Sequence, residues 1–185
     1  FLRQDPDVIL VGEIRDSETA NNAVQASLTG HLVFSTIHTN DAAGAFARIV
    51  EMGVEPFLVS SSLLGVIAQR LVRCLCLNCR EQYTPSEEEL ADLQLTRADV
   101  PGQVWRSTSC DECNFTGYSG RTGIYEFLAA SEEIRRLVIS NADAIRVKKA
   151  AVDAGMVTLR DDGVAKVILG ITSFDEVMRV TQEDA

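Results

Sequence analysis

The sequence contains no G-x-x-x-x-G-K-[ST] stretch, so nothing in it cradles the β-phosphate of a nucleotide as a phosphate-binding loop does. The glycine-rich segment 117–123 is no substitute: its basic residue is Arg121, and no Lys-Ser or Lys-Thr follows a glycine. Alone, the chain is therefore not expected to hydrolyse ATP. Long apolar runs are missing as well. The most apolar one, Pro56 to Gln69, falls short of the roughly 20 residues a bilayer requires. Polar residues from Asn21 to His31 break up the longer uncharged stretch 19–40. No secretory signal precedes the first charges, at Arg3, Asp5 and Asp7. Basic residues are in deficit, and a net charge of −10 argues against unspecific binding to DNA or RNA, which needs clustered Lys and Arg. Neither a nucleic-acid partner nor a membrane span is expected. Histidine is scarce, and its two copies, His31 and His38, flank a single apolar segment.

What is present describes an ordinary globular protein. Of 185 residues, 46% are hydrophobic and 24% charged, enough to bury a core of its own. At about 150 residues per domain, this leaves room for one domain and a small appendage. The chain opens on Phe1, without Met, and runs at once into a strand pattern. The expectation is a fragment whose upstream partner is missing.

Five cysteines fall in an informative pattern. Cys76-Leu-Asn-Cys79 and Cys110-Asp-Glu-Cys113 are two C-x-x-C pairs with 30 residues between them. Each pair can turn two thiolates toward one point, and two such knuckles make a tetrahedral four-sulfur zinc site. Four thiolates leave no open coordination position, so the metal is expected to be structural. A lone C-x-x-C could serve redox chemistry, but a second pair favours metal. The odd count and low cysteine density disfavour extracellular disulfides. Cys74 is left as a bystander in the strand leading in.

Val8-Ile-Leu-Val-Gly12 is a continuous apolar run, which predicts a strand buried on both faces of a parallel sheet. Ser17 offers an N-cap for a helix that stops at Gly30. His31 to Thr36 reads as a second buried strand, and Asn40 or Asp41 caps a helix ending near Gly53. Pro56 opens a further helix, expected to reach about Gln69. Ser86-Glu-Glu-Glu89 is a capping-box pattern for a short acidic helix to about Leu93, within an insert punctuated by Pro85, Pro101 and Gly102. Arg121 to Leu128 resembles a strand returning to the main body. Apolar spacing predicts helices over 131–140, 142–154, 159–169 and 174–180, with Ser173-x-x-Glu176 as another capping box. The alternation argues for α/β architecture.

In such sheets, ligand chemistry sits at the carboxyl ends of the strands. Glu13 lies there, where an acid can hold Mg²⁺ or orient an attacking water. If the two strands are parallel neighbours, the second delivers His38 to the same edge. A solvated strand end and a histidine satisfying a loop carbonyl are the plain alternatives.

Four blocks together resemble the secretion and pilus ATPase superfamily. DPDVILVGEIRD (5–16) is similar to its Walker B region, and TGHLVFSTIHTN (29–40) to its histidine box. AQRLVRCLCLNC (68–79) with SCDECNFTGYSGRTGIYEF (109–127) is similar to its tetracysteine module. GITSFDEVMRVTQED (170–184) completes the match. Within the superfamily the wording is nearest to the type II secretion assembly ATPases, with the type IV pilus extension ATPases as the alternative. The resemblance implies the C-terminal part of a RecA-like P-loop ATPase domain, with an inserted zinc module and a helical C-terminal region. Residues 1–73 would complete the nucleotide core, 74–120 form the zinc module, and 121–185 supply the return strand and C-terminal helices.

It also implies ATP and Mg²⁺ as cofactors of the full-length protein and a structural Zn²⁺ held by Cys76, Cys79, Cys110 and Cys113. Glu13 is expected to act on Mg²⁺ and the hydrolytic water, His38 near the γ-phosphate, with His31 a weaker second. Arg15 is expected to order the loop after Glu13, a contact with Asp16 being equally open. Arg121 could meet a neighbouring subunit or brace the zinc module. The position often held by a Walker B aspartate is Gly12. A homo-hexamer in the cytoplasm, docked on inner-membrane platform proteins, is the implied assembly. For the isolated fragment, a zinc-stabilised protein-binding module is the other reading.

Overall fold

The computed structural model describes residues 6–100 and 102–182. Phe1, Arg3, Asp5, Pro101 and residues 183–184, which carry parts of the patterns above, lie outside them. In chain order the elements are β1 (Val8–Ile14), α1 (Ser17–Leu28), β2 (Leu32–Ile37), α2 (Ala42–Glu51), α3 (Pro56–Ser62), β3 (Gly65–Leu75), β4 (Glu81–Tyr83), α4 (Glu87–Asp92), β5 (Val104–Arg106), β6 (Tyr118–Ala129), α5 (Glu132–Ile139), α6 (Ala144–Asp153), α7 (Leu159–Ile168) and α8 (Phe174–Thr181). A 3₁₀ turn spans Asp111–Cys113.

Two compact units emerge, Phe1–Ala68 with Phe127–Met156, and Gln69–Glu126 with Val157–Ala185. These limits differ from expected borders at 73 and 120, because β3 and β6 each contribute to both units and α7 and α8 belong with the cysteine-bearing insert. β3 and β6 pair with one another. The Ala130 N–H donates to the Leu64 carbonyl at one end, and the Cys76 N–H to the Gly117 carbonyl at the other, so they run antiparallel.

In the first unit, β1 and β2 pair in parallel, from Val8 opposite Leu32 to Val11 opposite Ser35. The expectation of strands buried on both faces is corrected: Leu10 is 77% exposed and Phe34 56%. Among the described residues the sheet has two strands, and core packing reaches one side of it. There Ile14 joins Ala20, Val24, Ala43, Phe46, Val59 and Ile134 in a common core. Asp16, not Ser17, is the N-cap of α1, accepting from the Thr19 N–H at 2.8 Å. Between Asn40 and Asp41, it is Asp41 that caps α2, through the Gly44 N–H at 2.9 Å.

The helix expected to reach Gln69 stops at Ser62. The hydroxyls of Ser60, Ser61 and Ser62 turn back onto the carbonyls of Phe57 and Leu58, a local competition that weakens helix continuation. Pairing with β6 then takes residues 65–75 into a strand, tertiary context overriding the helical start.

In the second unit, Leu90, Val100, Val104, Val167, Phe174 and Val177 form the core. The predicted capping box at Ser86 and Glu89 is present. At α8 the box is only half made. The Ser173 hydroxyl caps the Glu176 N–H, but the fully buried Glu176 carboxylate turns to two arginines instead. Arg73 donates from its backbone N–H and Nε at 2.9 Å and from Nη2 at 2.6 Å; Arg179 donates at 2.9 and 2.7 Å. The Arg73 guanidinium also lies 4.0 Å from the Tyr118 ring centre.

Burial by itself raises the Glu176 carboxyl, but the hydrogen bonds from Arg179 and Arg73 outweigh it and bring the group down to about 2. A carboxylate depressed in the folded state stabilises the fold above its ordinary value of 4.5 and loses that contribution as pH falls through about 2. Glu176→Gln should therefore cost roughly 2–4 kcal/mol at neutral pH. The gap between variant and wild type should narrow as pH drops below 4.5. Thermal unfolding of both proteins across pH 2–7 checks this; a gap independent of pH would contradict it.

Candidate functional site

Because β1 and β2 are parallel neighbours, their C-terminal ends share one edge. Glu13 sits near the end of β1 and His38 directly follows β2. Their side chains meet there, with the His38 Nε2 3.2 Å from the Glu13 Oε2. The same oxygen accepts from the Arg15 Nε at 2.5 Å, so one carboxylate oxygen is shared by a guanidinium and an imidazole. Asp16 is occupied in capping α1, which leaves Glu13 as the Arg15 partner. The site is open: His38 is 86% and Arg15 71% exposed, Glu13 33%. The hydrogen bond from Arg15 holds the Glu13 carboxyl below the usual carboxylate range; burial opposes it, and the Arg15 charge and the His38 contact lower it further. At neutral pH Glu13 is ionised and can bind a cation or accept a proton.

His31 is not brought to this edge. It precedes β2, at the opposite end of the strand from His38, where its Nδ1 lies 2.9 Å from both the Thr29 hydroxyl and the Ala26 carbonyl. Two further residues near the edge were not singled out by the sequence reading. Thr36, on β2, donates its hydroxyl to the Gly12 carbonyl at 2.8 Å. Lys148, on α6, lies 3.0 Å from the Asp41 carboxylate that caps α2. Both contacts join residues far apart in the chain.

In the second unit the ligand atoms of Cys76, Cys79, Cys110 and Cys113 all lie within 4.8 Å of one another. Three of the sulfur separations are 3.9 Å (Cys76–Cys110), 3.9 Å (Cys79–Cys113) and 3.7 Å (Cys110–Cys113). Cys74 belongs to β3 and stands outside the group. The four cysteines are placed to bind a metal. Burial opposes ionisation of Cys113, yet hydrogen bonds, among them one from the Gly117 N–H at 3.2 Å, bring that thiol down to about 6. Gly117 is needed for this approach: its φ is +76°, and a Cβ there would lie against the Thr108 carbonyl and Ser107. Arg121 is exposed on β6.

An acid and an imidazole thus meet at one edge of a parallel strand pair in an α/β fold, and four cysteines cluster in the second unit. Solved structures agree on the fold. A crystal structure of the pilus retraction motor PilT with bound ADP superposes with a TM-score of 0.66 at 26% identity, covering 99% of this chain and 42% of that one. The ATPase DotB of Yersinia pseudotuberculosis gives 0.66 at 20% identity, over 97% of this chain and 38% of its own.

The sequence matches the family described as "Type II/IV secretion system protein" over residues 1–179, and the chain belongs to that family. "Type II secretion system ATPase E" of Vibrio cholerae is 54% identical over 99% of this chain and 36% of its own length. "Type II secretion system protein E" of Pseudomonas aeruginosa is 53% identical over the whole of this chain and 36% of its own. "Type IV pilus assembly ATPase PilB" of Thermus thermophilus is 50% identical over 99% of this chain and 21% of its own. The chain thus spans about a third of the secretion relatives it matches.

Proposed function

We propose that this chain is the rear part of an ATPase motor that drives type II protein secretion, and that Glu13 and His38 work on a nucleotide held by a phosphate-binding loop elsewhere in the full-length protein. The observation that carries this reading is the convergence of those two side chains, 3.2 Å apart, at the edge where α/β proteins place ligand chemistry. When bound, ATP brings the transferable phosphoryl group and Mg²⁺ the neutralising charge. Phosphoryl transfer is largely positioning and charge stabilisation, so its parts can be divided among strand ends, a loop and neighbouring subunits. In this division the ionised Glu13 serves Mg²⁺ and the attacking water. His38 stands ready to hydrogen-bond the γ-phosphate, and Arg15 fixes the carboxylate that must face it.

Zinc is the metal proposed for the cysteines. At a Zn–S distance of about 2.3 Å, a tetrahedral site has sulfur–sulfur edges of about 3.8 Å. Three sulfur–sulfur separations of 3.7–3.9 Å fit that geometry, and an all-thiolate set closes the coordination sphere. Its role is then structural. A hexameric ring on the cytoplasmic face of the inner membrane, docked on platform proteins, completes the proposal; among the described residues no helix is long and apolar enough to cross a membrane. Type IV pilus assembly is the second reading, supported by the 50% identity to PilB. Restoration of secretion, and not of piliation, in strains lacking each motor is the experiment that tests this choice. Rescue of piliation alone would favour the second reading.

A further inference from the structure

We propose that Thr36 is a positioning residue that aims Glu13 by pinning a β-bulge at Gly12 and Glu13, an inference that rests on the catalytic reading of this edge. Simple alternation along β1 would put Glu13 in the wrong place. Ile9 is buried and Val11 half-buried, whereas Val8 and Leu10 are exposed. Strict period-two alternation would then send residue 13 to the covered face and residue 14 to the open one. The reverse is found: Ile14 is 8% exposed and part of the core, and Glu13 is free to reach Arg15 and His38.

The register accounts for the reversal. Val11 lies opposite Ser35 and Ile14 opposite Ile37, so Gly12 and Glu13 together face Thr36. One extra residue exchanges the faces of all that follow. Such a bulge disrupts the ladder locally, and the freed backbone groups need other partners. The Thr36 Oγ1 donates to the Gly12 carbonyl, so the residue opposite the bulge also bonds it. Gly12 itself does not impose the bulge. Its φ lies outside the left-handed region, and a Cβ added there meets nothing within 4 Å. The hydroxyl is the specific element; Val or Ile would suit a strand equally well but brings no donor.

A shift of about 1 Å in a catalytic group can cost on the order of 100-fold in rate. The test uses the full-length protein, comparing Thr36→Val and Thr36→Ser. With Thr36→Val, kcat for ATP should fall about 10- to 100-fold while KM stays within about twofold. Thr36→Ser, which keeps the donor, should recover to within about threefold of wild type. Without nucleotide, amides across residues 8–16 should exchange faster in Thr36→Val. A Thr36→Val kcat near wild type, a Thr36→Ser as impaired as Thr36→Val, or unchanged exchange would each overturn the proposal. Should Thr36→Val fail to fold, Thr36→Ala makes the same comparison. Wild-type turnover in Glu13→Gln would instead remove the catalytic reading, while the exchange result would still report on the pin itself.

Discussion

Glu13→Gln in the full-length protein should lower ATP turnover by roughly 100-fold or more while nucleotide binding and thermal stability stay close to wild type. The reasoning is electrostatic. Glu13 is partly exposed and contributes to no core, so the near-isosteric amide leaves the packing unchanged. It does remove the negative charge that holds Arg15 and His38 on one oxygen and that is assigned to Mg²⁺ and the hydrolytic water. Steady-state hydrolysis paired with nucleotide-binding titration makes the measurement. Turnover above a tenth of wild type would take Glu13 out of the role.

Loss of the metal proposed for the four cysteines should be the largest structural effect. Cys110→Ser removes one of four ligands whose sulfurs lie within 4.8 Å, and a closed structural site contributes folding energy outright. Zinc content should fall from about one equivalent to well below half, with loss of cooperative unfolding in the unit formed by Gln69–Glu126 and Val157–Ala185. ATP binding should change little, and the secretion proposed for the full-length protein should fail. Metal analysis, differential scanning calorimetry, a nucleotide-binding titration and a secretion assay check the four parts. A Cys110→Ser protein that keeps zinc, folds and secretes normally would contradict the assignment.

How much of this was legible beforehand follows the range of the interactions involved. The cysteine cluster was readable because each knuckle is local and carries its own spacing, and the helix starts at Asn40 or Asp41, Ser86 and Ser173 because capping acts within one turn. The edge shared by Glu13 and His38 was readable once two apolar runs were taken as parallel neighbours. Of β3 only the strand leading into the cysteines was readable: Pro56 opens a true helix, and pairing with the distant β6 is what turns Gly65–Gln69 away from it. Glu176 looked like half of a capping box since nothing local announces Arg73, 103 positions earlier. The bulge at Gly12 escaped for a related reason. A continuous apolar run conceals alternation, so the extra residue shows only when Ile14 is found buried beside an accessible Glu13.

The most direct measurement is a structure of the full-length protein with Mg²⁺ and a non-hydrolysable ATP analogue. The γ-phosphate should lie within about 3 Å of the His38 imidazole, with Glu13 directed at the metal or at the water in line for attack. A nucleotide bound away from the shared C-terminal edge of β1 and β2, touching neither side chain, would contradict the account.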